Sequence, residues 1–163
     1  MKADANANLT APLITAAASA AISTVDASYL QTLLGYNTRR VSLQVVAEFS
    51  RRMVDYGLTP VDFSILSLIR HNPGITSRQL CGALNLLPPN LVGKISMMEK
   101  RDLLVRKPHP DDGRAIGLSL SAAGNELMQR AESTASQLEA DVASKLTDTE
   151  IKTLMKLLQK LYL

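Results

Sequence analysis

Tryptophan is absent from this 163-residue chain, phenylalanine and histidine each occur twice, and cysteine occurs once. With so few aromatic rings a core must be built from Leu, Ile, Val, Ala and Met, which suits helix packing better than a β-sandwich. The 46% apolar content is ample for such a core, and the length argues for one domain. A single cysteine, Cys81, excludes an intrachain disulfide and fits a reducing cytoplasm. The two histidines, His71 and His109, are far apart, so no metal-ligand spacing of the structural zinc kind exists and no metal or cofactor is expected. A Gly-rich phosphate loop and a nucleophile elbow are both missing, which leaves an enzyme nowhere to place its chemistry. No stretch of about 18 strongly apolar residues predicts a membrane span.

What the chain does have is concentrated between Thr76 and Leu120. Thr76-Ser77-Arg78-Gln79 reads as a capping box, with the threonine hydroxyl on the free amides of a first turn and Gln79 reaching back. Leu80, Ala83 and Leu84 give that helix an apolar face. After a break at Asn85–Pro89, a second helix is expected from about Pro89 to Arg101, with Leu91, Ile95 and Met98 facing a core. Two helices joined by so short a turn fit a helix-turn-helix. Two β-prone runs then flank the Pro108–Gly113 turn, Leu103–Lys107 and Arg114–Leu120, and predict a hairpin with Arg106, Lys107 and Arg114 around its tip. A cationic tip of this kind suits a phosphate backbone or a minor groove.

Charge points the same way. Residues 76–120 carry seven basic and four acidic side chains, whereas the remaining 118 residues carry eleven of each, so the whole net charge of +3 sits in this module. A local basic excess is the footprint of polyanion binding.

The run Leu104-Val105-Arg106-Lys107-Pro108-His109-Pro110-Asp111-Asp112-Gly113-Arg114-Ala115, followed by Leu118-Ser119-Leu120-Ser121-Ala122-Ala123-Gly124, resembles the wing of the MarR family of transcriptional regulators. Asp112 and Arg114 match the Asp-x-Arg signature of that wing, and Leu120, Ser121 and Gly124 match the start of the helix that follows it. The resemblance covers roughly residues 28–163. It implies a mainly α fold, a winged helix-turn-helix with a small β-hairpin wing, whose long N- and C-terminal helices form a dimerisation region. The expected organisation is an N-terminal extension at 1–27, a reader at about 60–120, and dimerisation helices at about 28–56 and 121–163.

The implied function is that of a cytoplasmic, sequence-specific regulator of double-stranded DNA, a homodimer acting as a repressor that a small aromatic or phenolic carboxylate releases. Candidate DNA contacts are Thr76, Ser77 and Arg78 in the first helix, Pro89, Asn90 and Lys94 in the second, and Arg106, Lys107, His109 and Arg114 in the wing. Asn90 can pair with adenine and Lys94 with guanine or a phosphate, although Asn90 could equally cap its helix. Asp112 is expected to orient Arg114 rather than touch DNA. The chain departs from the family at Gly93 and Gly113, where basic residues are usual, which keeps open an interaction module without specific readout. A second alternative is redox sensing through Cys81, set against a plain buried role for that residue.

The flanks are helical by pattern. Tyr29 to about Tyr56 reads as one amphipathic segment with Leu30, Leu33, Leu34, Val41, Val45, Phe49 and Met53 on its apolar face. Thr59-Pro60 starts the next helix, with Val61, Ile65, Leu66 and Ile69 inward and an end near His71–Gly74. Ser121 opens another, with Leu127, Ala131, Ala135, Leu138 and Val142 apolar. Thr147-Asp148-Thr149-Glu150 caps a final helix striped by Ile151, Leu154, Leu157, Leu158 and Leu161. Within the first segment Tyr36, Arg39 and Arg40 are candidates for an effector site, the arginines for a carboxylate and the tyrosine for a ring. Met1–Thr24 is an Ala/Ser/Thr/Asn mixture. Asp4 and the polar residues within it argue against a signal peptide, despite Lys2 ahead of an Ala-rich stretch.

Overall fold

The computed structural model describes residues 25–109 and 115–163. The elements run α1 (Ser28–Gln31), α2 (Leu34–Met53), a 3-10 turn (Val54–Tyr56), α3 (Pro60–His71), α4 (Ser77–Leu84), α5 (Pro88–Lys100), β1 (Leu104–Pro108), β2 (Ile116–Leu120), α6 (Ala122–Val142) and α7 (Asp148–Gln159). The chain divides into two units, one ending at Val41 and the other running Ser42–Leu163, with the division inside α2.

The N-terminal segment is not one helix. Thr32 Oγ1 donates to the Tyr29 carbonyl at 2.7 Å, and Asn37 Nδ2 donates to the carbonyls of Gln31 and Leu33, each at 2.8 Å. Short polar side chains that take backbone carbonyls in this way compete with helix propagation, and they separate α1 from α2. The expected stripe splits as well. Phe49 and Met53 are buried, whereas Leu30, Leu33, Leu34 and Val41 are exposed.

The core lies in the second unit. Met53, Ile65, Leu66, Ile69, Leu80, Leu91, Ile95, Met98, Leu118, Met128 and Leu138 are fully buried, each burial contributing roughly 1.5–3 kcal/mol before entropy is set against it. Three of the expected inward positions differ. Val61 is 38% exposed, Ala83 is exposed, and on α6 it is Met128, not Leu127, that is fully buried. Phe49 and Phe63, the only two phenylalanines, meet edge-on with centroids 5.4 Å apart.

Capping sets the helix starts. Thr59 and Asp62, Thr76 and Gln79, and Thr147 and Glu150 each form reciprocal capping boxes, and Ser121 caps α6 through Gly124 N. The turn from α4 to α5 passes through Asn85, whose φ of 50° closes α4 in the left-handed region.

β1 and β2 pair antiparallel with Leu104 opposite Leu120, Arg106 opposite Leu118 and Pro108 opposite Ile116. A third piece of backbone joins them: Gly74 N donates to Leu118 O at 2.8 Å, and Leu118 N donates to Ile75 O at 2.9 Å. The hairpin is thereby fastened to the segment between α3 and α4. Two glycines permit the packing. A β-carbon on Gly117 would stand 2.5 Å from Gly74 O, and one on Gly124 would collide with the Leu103 carbonyl.

Candidate nucleic-acid interface

The interface is built from α4, α5 and the hairpin. The Thr76 hydroxyl accepts from Gln79 N at 3.3 Å while Gln79 Oε1 accepts from Thr76 N at 2.8 Å, so Thr76 is occupied in holding the start of α4. Ser77 is half-buried beside it and Arg78 is exposed. Helix α5 starts at Leu87–Pro88 without a side-chain cap. Proline, which has no N–H to satisfy, suits that first position. Asn90 is exposed and does not cap, so its amide is left for an outside partner.

Lys94 has a partner within the chain. Its ammonium donates to Asp62 Oδ1 at 2.8 Å, with the Asp62 side chain only 3% exposed. The other carboxylate oxygen accepts from Thr59 N at 3.1 Å and from Thr59 Oγ1 at 2.6 Å. Burial pushes the Asp62 carboxyl up, but Lys94 and Thr59 outweigh it and hold the group below its ordinary value. A buried carboxylate needs a cation, and Lys94 is within reach across α3 and α5. Lys94 therefore braces the reader from α5 to the capping box of α3.

Arg106 is likewise paired within the chain. Alternation along β1 places it on the same side as buried Leu104 and turns Lys107 the other way. Arg106 Nε and Nη2 reach Glu99 at 2.6 and 3.1 Å, a bidentate pair from β1 to α5 that holds the Glu99 carboxyl below its usual range. Lys107 is exposed. His109 is half-buried, and its backbone N donates to Ala115 O at 2.9 Å. Asp112 and Arg114, the signature pair, lie outside the described residues. Arg101, not singled out from sequence, donates to the carbonyls of Gly57 and Tyr56, both at 2.8 Å, and so ties the end of α5 to the 3-10 turn.

Helix α5 thus presents an outer face of Pro89, Asn90, Gly93, Met97 and Lys100 beside a wing strand. Among solved structures, the transcriptional repressor CouR bound to a 23-mer DNA duplex superimposes with a TM-score of 0.77, at 30% identity, over 84% of this chain and 97% of that one. The chain belongs to the MarR family of transcriptional regulators. The MarR family profile matches residues 56–115, from the end of the 3-10 turn to just before β2. The Mycobacterium tuberculosis MarR-family protein Rv2887 in complex with p-aminosalicylic acid matches with a TM-score of 0.64, at 26% identity, over 79% of this chain and 98% of that one. The Thauera aromatica protein named "putative transcriptional regulatory protein for hcr operon" is 29% identical over 130 residues, 79% of this chain and 78% of its own length.

This MarR-family chain places Tyr36, Arg39 and Arg40 on one helix at a spacing that shares a face, with both arginines exposed and Tyr36 half-buried. In the second unit a shallow apolar recess of about 200 Å3 is lined by Pro60, Val61, Ser64, Leu84 and Leu86. Cys81 packs partly buried against the core, the ordinary role of a small apolar residue. Among the described residues no cluster of His, Cys, Asp and Glu could hold a metal, and no helix is long and apolar enough to cross a membrane.

What sequence reasoning missed is mostly partnership. Asp62 sits three residues after Thr59, the spacing of a capping box, and that spacing could have marked it as a fixed acid. Nothing local signals that Lys94, 32 positions away, would complete it.

Proposed function

We propose that this MarR-family regulator is a cytoplasmic homodimer that binds a pseudo-palindromic operator as a repressor and is released by a small aromatic or phenolic carboxylate. One observation carries the reading. The α5 face opposite the core has no intramolecular task, whereas the cations beside that face, Lys94 and Arg106, are spent on stiffening it. A surface braced from behind and left open in front suits insertion into a major groove, with Asn90 at base edges and Arg78, Lys107, His109 and Arg114 at the backbone or in a minor groove.

Dimerisation is supported by what one copy leaves uncovered. Helix α7 buries none of its residues, and Leu154, Met155, Leu157 and Leu161 are 39–64% exposed. Tyr29, Leu30, Leu34 and Val41 near the other end are 43–73% exposed. Apolar surface on this scale marks an interaction surface. A two-fold dimer would set its two α5 helices about 34–36 Å apart, one turn of DNA. The effector class is supported by the p-aminosalicylic acid bound to Rv2887, with Arg39 or Arg40 proposed to pair its carboxylate and Tyr36 to meet its ring.

The test is binding of the purified protein to its own upstream intergenic DNA, by fluorescence anisotropy across a salt series with unrelated DNA as competitor. Selective binding that survives competitor and weakens on adding an aromatic acid is the expected result. Equal affinity for duplexes selected and unselected by the protein from a random pool would overturn specific readout. An Arg39→Ala/Arg40→Ala variant with an unchanged effector response would overturn the pocket assignment alone.

A further inference from the structure

Helix α5 turns Leu91, Ile95 and Met98 into the core. At 100° per residue the side opposite that stripe carries Gly93 and Lys100, with Pro89, Asn90 and Met97 around them. Glycine in mid-helix weakens the helix, and nothing inside the molecule requires one here. Its φ is not positive, and a β-carbon built on it meets no atom within 4 Å. Gly35 and Gly82 are equally open, whereas backbone stands where the side chains of Gly117 and Gly124 would go, so what sets Gly93 apart is its place on the outer face of α5. A glycine that costs the helix, that packing does not need, and that sits on the outer face of α5 points to a demand from outside the chain.

The surroundings narrow what that demand is. Lys94, the adjacent ammonium, is committed to Asp62, and Lys100 lies two turns farther along. Among the described residues, the cation next to Gly93 in sequence is thus already paired. Val92 and Met97 are 56% and 44% exposed, so apolar surface flanks Gly93. The major-groove feature such a patch accepts is the C5 methyl of thymine, while Asn90, about one turn earlier on the same face, offers an amide that matches adenine. We infer that Gly93 is a specificity-determining position, at which a thymine methyl occupies the space a β-carbon would fill, so that the half-site is read there as A·T pairs. The inference rests on the DNA-reading proposal above and names the bases it selects.

The experiment begins with selection of duplexes from a random pool by the full-length protein, then compares wild type and Gly93→Ala by anisotropy. The selected half-sites should carry A·T pairs at the α5 contact. The variant should melt at a higher temperature, since alanine favours the helix, yet bind at least about tenfold more weakly. Replacing the contacted thymine by deoxyuridine removes only the methyl. It should weaken wild type several-fold and shrink the variant's deficit to under about threefold, the non-additivity expected of two groups in contact. Equal binding by the variant, an undiminished deficit on the deoxyuridine duplex, or half-sites dominated by G·C pairs would each overturn the inference while leaving the regulator reading intact. A wild-type protein that selects no sequence would overturn both.

Discussion

The ammonium of Lys94 stands 2.8 Å from Oδ1 of Asp62 and joins α5 to the capping box that starts α3. The helix that faces DNA in our reading is thereby clamped at its middle to a helix of the core, through a carboxylate that water barely reaches. Small shifts of α5 would misplace every contact it makes, so the pair acts as a positioning device.

Lys94→Met should destabilise the fold by about 1–3 kcal/mol, less than for a fully buried pair because the ammonium is partly solvated. Asp62→Asn keeps an acceptor for Thr59 but removes the charge, and the double variant should recover part of the loss. Urea denaturation of the four proteins gives the coupling. A coupling energy near zero would show that the contact does not hold the reader together.

The same pair predicts a pH dependence. The folded-state pKa of Asp62 is depressed, so its contribution to stability is present above the unfolded carboxylate value of about 4 and is lost as pH falls below it. Glu48, held at about 2 chiefly by hydrogen bonds from Arg51 and then Arg52, titrates in the same acid window. Stability measured between about pH 2 and pH 6 should therefore drop on acidification, with a shallower drop for Asp62→Asn. Parallel curves for wild type and variant would contradict the assignment.

The glycines separate by position. Gly124→Ala forces a methyl onto the Leu103 carbonyl and should cost about 1–3 kcal/mol or abolish folding. Gly93→Ala should stabilise the isolated protein by about 0.5–1 kcal/mol. Chemical denaturation checks both, and a Gly124→Ala variant as stable as wild type would mean that the close packing of α6 on the start of β1 is easily relaxed.

Leu157 and Leu161 are 54% and 64% exposed at the C-terminal end. Replacing both with lysine should convert the proposed dimer to monomer in sedimentation velocity, with helical circular dichroism retained in the reader. A variant that stays dimeric would place the interface elsewhere.

The helix start at Thr59, the capping boxes at Thr76 and Thr147, the helix-turn-helix, the hairpin and the family were legible in the sequence, because each depends on residues three or four apart or on a short ordered motif. The break at Thr32–Leu33 was hidden because a continuous apolar pattern outranks a few side-chain hydrogen bonds when only periodicity is read. Tertiary structure alone decided which cations remain available. Lys94 and Arg106 are candidate DNA contacts in one dimension, and in three they also pair with Asp62 and Glu99. Local pattern fixes which faces are apolar, since that is a matter of spacing along one helix or strand. The fate of a charge depends on which opposite charge the fold brings within a few ångströms, and a buried carboxylate claims its cation wherever in the chain it lies.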